Sequence, residues 1–144
     1  MKAYSTQNIR NVVLLGSTKS GKTTLSEAML YEGKVIDRRG TVEGKNTVSD
    51  NAEIEQINQR SVYATPLYAE FMDTKFNIID TPGADDFVGG AVSAFKVCDL
   101  GVLVVNAQQG VEVGTQIYSR YASEYGIPLI VAVNQLDGEK ASWE

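Results

Sequence analysis

The chain has 144 residues, 43% of them hydrophobic and 22% charged, which is the make-up of one globular domain with a core of its own, not of a disordered segment. A net charge of −5 leaves no broad basic surface for bare nucleic acid, so free DNA is not an expected partner. The single Cys98 closes no internal disulfide and no apolar run is long enough to span a bilayer, so a reducing, cytoplasmic setting without a membrane is expected.

Residues 1–8 are short and polar and read as neither export signal nor anchor. Residues 9–15 form the first apolar run. Gly16, Ser17, Thr18, Lys19, Ser20, Gly21, Lys22 and Thr23 follow it and spell GxxxxGK[ST], with Thr24 opening a helix-like stretch over 24–31. In this motif backbone N–H groups of a glycine-permitted loop and of a helix N-terminus converge on phosphate oxygens. Lys22 adds charge at the terminal phosphates, and the Thr23 hydroxyl ligates Mg²⁺. A chance match in a Gly/Ser/Thr-rich turn is the alternative, but strand before and helix after are the context the motif requires.

Residues 32–60 carry little periodicity over a length that ordinary connections do not reach, so they read as a functional or mobile loop, with a short polar helix over 52–59. Residues 61–71 read as a strand whose Pro66 confines it to a sheet edge, turning through Met72, Asp73 and Thr74 into a buried strand over 76–79. Helix-like segments at 87–97 and 112–125, the latter with Val113, Ile117 and Tyr121 at four-residue spacing, alternate with continuous apolar runs at 100–105 and 127–133. Continuous runs of that kind are strands covered on both faces, so the expected fold is α/β, a mostly parallel sheet with an antiparallel edge strand. Cys98, beside the run at 100–105, reads as a small buried hydrophobe.

Two further words sit at strand ends. In Asn77-Ile-Ile-Asp80-Thr-Pro-Gly83, Asp80 can hold Mg²⁺ through water and the Gly83 amide can meet a γ-phosphate, or Pro82 and Gly83 simply make a turn. Asn134-Gln-Leu-Asp137 is similar to the guanine-reading NKxD word, or is an ordinary Asn/Asp turn. Taken singly, both readings of each stay open. In this order, after the phosphate loop, the three words point together to a guanine nucleotide.

With Gly21-Lys-Thr-Thr24, Asn46-Thr-Val-Ser-Asp50, the Asp80 word, Asp85-Asp86-Phe87 with the following helix, and Asn134 and Asp137, the chain resembles the G domain of a translational GTPase. Within that family it most resembles elongation factor G, with tetracycline-type ribosomal protection proteins as near relatives. The resemblance covers nearly the whole chain. It implies a P-loop NTPase three-layer fold, GTP/GDP and Mg²⁺ as ligands, the ribosome as partner, and a monomer. It gives residues 16–24 to the phosphates, Thr23 and Asp80 to the metal, Gly83 to the γ-phosphate, and Asn134, Gln135 and Asp137 to the base.

Four positions depart from the family. Ala84 stands where the family's DTPGH word has the His that positions the attacking water, and groups of that kind contribute about 10² to 10⁴ in rate. Asp85 is no substitute, since an ionised carboxylate donates no hydrogen bond toward developing negative charge. Lys19 replaces an Asp thought to hold a monovalent cation. Asn58-Gln-Arg-Ser61 aligns with the family's RGIT word, turning its metal-binding Thr into Ser61, with a shift of one or two residues about Arg60 as the alternative. Gln135 replaces a Lys that lies over the base, and should weaken affinity without redirecting Asp137. Drift in a dead paralogue is the alternative, but binding residues are kept while hydrolysis residues change, so the expectation is a GTP-binding translocation factor with slow or dispensable hydrolysis. The alternatives are a ribosome-associated protection factor using GTP as a conformational ligand, an active GTPase with another catalytic group, and, last, an ATP-specific enzyme. The range 1–144 is expected to be a G domain incomplete at its C-terminus, with an unpaired sheet edge beside 127–133.

Overall fold

The computed structural model describes residues 3–139 and 141; the expected domain range also takes in residues 1, 2, 140 and 142–144, which lie outside the described residues. The strands are β1 (Ile9–Leu15), β2 (Thr65–Phe71), β3 (Thr74–Asp80), β4 (Leu100–Asn106) and β5 (Leu129–Asn134). The helices are α1 (Lys22–Glu32), α2 (Glu53–Asn58), α3 (Val88–Phe95) and α4 (Val113–Tyr125). The sheet runs β2-β3-β1-β4-β5, with β3, β1, β4 and β5 mutually parallel and β2 antiparallel to β3. This is the expected mixed α/β sheet. Among the described residues the outer side of β5 is unpaired.

The central place of β1 follows from its sequence: Val12, Val13, Leu14 and Leu15 are all buried, pointing in turn to opposite faces. On one face Val13, Leu15 and Leu103 pack with Ala91, Ala94 and Phe95 of α3 and Tyr118 and Ala122 of α4. On the other, Val12, Leu14, Ala69 and Ile78 meet Leu25 and Met29 of α1. Three layers result, helices on both faces of the sheet. Pro66 lies on edge strand β2, as its missing N–H requires, and the hairpin turns through Met72 and Asp73, both at positive φ (46° and 61°).

The structure departs from the sequence reading at the starts of α1 and β2 and in the buried face of α4, and the ends of β3, α3 and β5 shift by one or two residues. Helix α1 begins at Lys22, two residues early, because Gly21 takes the left-handed cap conformation at φ 101° and turns the chain directly from loop into helix. Residues 61–64 do not join β2. The N–H groups of Val62 and Tyr63 donate instead to the buried carboxylate of Glu55, at 2.9 and 3.1 Å. In α4 the buried stripe is Gly114, Thr115, Tyr118 and Ala122, whereas Val113 is 64% exposed. At Gly114 the helix start comes so close to the phosphate loop that a Cβ would stand 2.8 Å from Ser17 Oγ, which leaves no room for an apolar side chain.

Candidate functional site

The parallel register brings the carboxyl ends of the strands to one edge. Leu14, next to the loop that starts at Gly16, is level with Asp80, and Asn106 is level with Asn134. A crevice at this edge is where open α/β sheets bind ligands. Here it is a cavity of about 830 Å³ lined by Thr18, Lys19, Gly21, Lys22, Thr23, Thr24, Asp50, Ser61, Gly83, Asn106 and Gln135, among others.

The phosphate loop is shaped by its glycines. Gly16 at φ 142° lies against the Val104 carbonyl, and Gly21 at φ 101° lies against the Asn134 amide; a Cβ at either would collide. Lys22 is buried, and its Nζ spans the loop by donating to the carbonyls of Gly16 and Ser17, each at 2.9 Å. Burial lowers its pKa to about 8, against the opposing pull of Asp80, Asp50 and Glu112. Ser17 and Ser20 bury their hydroxyls without a hydrogen-bond partner among the described residues.

Beside the loop, Asp80 is fully buried. Its Oδ2 accepts from Thr23 Oγ1 at 2.9 Å, Ser49 Oγ at 2.8 Å and Ser26 Oγ at 3.3 Å, while its Oδ1 has no partner among the described residues. Burial pushes its carboxyl above the ordinary range, the Ser49 and Thr23 hydroxyls and Lys22 acting the other way. Ser61 Oγ lies 3.3 Å from Thr23 Oγ1. Two hydroxyls and a carboxylate with a spare buried oxygen are hard donors of the kind that suits Mg²⁺. The structure thus brings Ser61 beside Thr23, while Arg60 is exposed.

Gly83 packs on the loop, where a Cβ would collide with Lys22 Nζ and lie 2.7 Å from Thr18 N. The following residue, Ala84, is extended (φ −83°, ψ 138°), and its methyl group neither donates nor accepts a hydrogen bond. Asp85 and Asp86 are exposed.

On the opposite side, Asn134 Nδ2 donates to Ser20 O at 2.9 Å, bracing the phosphate loop. Gln135 Nε2 donates to Lys19 O at 2.9 Å, and its Oε1 accepts from Asn106 Nδ2 at 2.7 Å. Gln135 is therefore a strut between three loops, a role that its lack of charge does not diminish. Asp137 is exposed and is not part of the cavity lining, so the structure does not bring it together with the phosphate-side residues.

Several residues here escaped the sequence reading. Glu27, 1% exposed on α1, accepts from Gly40 N at 2.7 Å and Val48 N at 2.6 Å. Glu55, also 1% exposed, accepts from Ala52 N as well as Val62 N and Tyr63 N. Between them the two carboxylates fold the 32–60 loop over the site, carrying Ser49, Asp50 and Ser61 inward. Asp50 is buried in the cavity wall, its carboxyl raised chiefly by burial and held back by the Ser61 hydroxyl. Only its place in the 46–50 word signalled it. No helix of the described residues is long and apolar enough to cross a membrane.

The chain matches the family model of the elongation factor Tu GTP binding domain over residues 7–144. It is 38% identical over 135 residues to an elongation factor G-like protein of Mycobacterium tuberculosis, covering 94% of this chain and 19% of that protein. It is 39% identical over 132 residues to the oxytetracycline resistance protein of Streptomyces rimosus, covering 90% and 20%. A crystal structure from Thermus thermophilus superposes with a TM-score of 0.87 at 36% identity, covering 90% of this chain and 20% of that one. The chain thus spans about a fifth of the length of the curated relatives it matches. The chain belongs to the elongation factor Tu GTP binding domain family, as a translational GTPase G domain that resembles elongation factor G.

Proposed function

We propose that this chain is the GTP-binding module of an elongation factor G-like translation factor that works on the ribosome in translocation with GTP hydrolysis slow or dispensable. One observation carries this reading: Lys22, Thr23, Asp80 and Ser61 converge, while position 84 holds only a methyl group. Residues 16–24 would hold the phosphates and Asn134, Gln135 and Asp137 the guanine. Thr23, Asp80 and Ser61 would hold Mg²⁺, which when bound neutralises phosphate charge.

The chain's own residues account for binding. Lys22 exchanges two neutral carbonyl partners for phosphate oxygens, and the loop amides and the N-terminus of α1 face the same anion. Gly83 and Ser61 both line the cavity, so a γ-phosphate held by the Gly83 amide and the Ser61 hydroxyl would keep both segments closed. That differential contact suffices to shift a conformational population without bond cleavage. Such a factor acts as a cytoplasmic monomer, hydrolysis serving release.

A second reading is a ribosomal protection factor using GTP as a conformational ligand, supported by the likeness to the oxytetracycline resistance protein at an identity equal to that of the elongation factor G-like relative within one percentage point. A single-round translocation assay with the full-length factor separates the two. Translocation supported equally by GTP and by a non-hydrolysable analogue is the expected result, and no translocation with either nucleotide would favour protection.

A further inference from the structure

Tyr118 is no part of the cavity lining, yet it touches the site. Its side chain is 1% exposed in the core beneath α3 and α4, and its hydroxyl donates to the Pro82 carbonyl at 3.1 Å. A buried phenol needs an acceptor, and many carbonyls would serve. The one it takes belongs to the peptide unit whose other end is the Gly83 N–H. That unit is planar and trans, so its carbonyl and its N–H point in opposite directions. Anchoring the oxygen on the core side therefore turns the N–H away from the core. Gly83 itself is packed on Ser17, Thr18 and Lys22, at the phosphate loop.

The same helix reaches the loop a second time. Gly114, one turn before Tyr118, lies so close that a Cβ would stand 2.8 Å from Ser17 Oγ. Helix α4 thus abuts the phosphate loop through Gly114 and holds the start of the 83–87 segment through Tyr118.

We infer that Tyr118 is a positioning residue for the terminal phosphate: by fixing the Pro82–Gly83 peptide through its carbonyl, it aims the Gly83 amide before nucleotide arrives and so sets the preference for a nucleoside triphosphate over a diphosphate. This rests on the guanine-nucleotide reading above. The diphosphate does not reach Gly83, so the anchor contributes to one ligand and not to the other. An unanchored peptide is free to rotate, and the triphosphate must then order it on binding.

The test is Tyr118→Phe in the full chain, with affinities for fluorescent GTP and GDP measured side by side. The ring keeps its packing and only the hydroxyl is lost. GTP affinity is expected to fall about 3- to 10-fold, the range of one buried hydrogen bond, with GDP affinity unchanged within about twofold. Gly114→Ala serves as the contrast: it crowds Ser17 and should weaken both nucleotides alike. An equal fall for both nucleotides in Tyr118→Phe, or no fall in either, overturns the inference while leaving the nucleotide site standing. A parent chain that binds neither GTP nor GDP overturns the nucleotide reading and the inference with it.

Discussion

Replacing Glu27 by Gln keeps the size of the side chain and removes one of its two acceptors. In the structure both carboxylate oxygens are in use, one on Gly40 N at 2.7 Å and the other on Val48 N at 2.6 Å, with the residue 1% exposed. Glutamine satisfies one amide and turns its own NH₂ toward the other. A hydrogen bond to a charged acceptor contributes about 1.5–3 kcal/mol, and a buried donor left without a partner costs about 1–3 kcal/mol more, so the arrangement of the 40–48 segment loses at least about 2.5 kcal/mol. That is roughly a hundredfold increase in the open population of the loop. Because the loop can open by itself, the sheet and its two cores should keep most of their stability. Limited trypsin digestion reads the difference, since Arg38, Arg39 and Lys45 are exposed on this loop and cleavage tracks the open population when closing is fast. The expected outcome is cleavage at those sites accelerated about a hundredfold or more, in line with the energy above, with a much smaller shift of the urea midpoint. Unchanged cleavage, or a loss of global stability equal to the full penalty, would refute the view that Glu27 acts as a clamp on the loop.

Gln135→Ala removes both struts, to Lys19 O and from Asn106 Nδ2, and should weaken GTP and GDP alike by about tenfold, as two partly exposed hydrogen bonds allow; calorimetric titration reads it. Tyr118 provides a pH signature. Burial, assisted by Asp85, pushes its phenol from 10.0 up to about 12, so between those values the folded chain holds a proton that the unfolded chain has released. This group therefore leaves stability untouched below pH 10 and lowers it as pH rises from 10 to 12, by up to ~3 kcal/mol. Denaturation of Tyr118→Phe across that window should show a shallower alkaline decline than the parent, and parallel curves would contradict the assignment.

The parts of this molecule legible in its sequence are those set by neighbours along the chain. The phosphate loop, the apolar run of β1, the edge position of Pro66 and the Met72–Asp73 turn each declare themselves within a few residues. Glu27 and Glu55 did not, because their partners are backbone amides of a loop without periodicity, and a backbone amide leaves no mark in composition. The same cause hid the end of β2: Val62 and Tyr63 look like strand residues, yet their N–H groups are already taken by Glu55. In α4 the apolar spacing of Val113, Ile117 and Tyr121 pointed to a face one residue away from the buried one, since Gly114 and Thr115 carry no hydrophobic signal and Gly114 is buried against the phosphate loop. Helix α1 is the inverse case. Its buried residues include Lys22, Thr23, Ser26 and Glu27, polar because the helix faces a site, so apolar periodicity could not locate its first turn.

This G domain, on the reading proposed above, keeps the machinery for binding and lacks the group for hydrolysis at position 84. Single-turnover GTP hydrolysis by the full-length factor, with and without ribosomes and beside an Ala84→His variant, tests that claim most directly. The expected result is a parent that binds GTP yet turns it over slowly even on the ribosome, and a histidine variant that is faster by about 10² or more with little change in affinity. A parent whose hydrolysis the ribosome already stimulates strongly, with no gain from histidine, would contradict it.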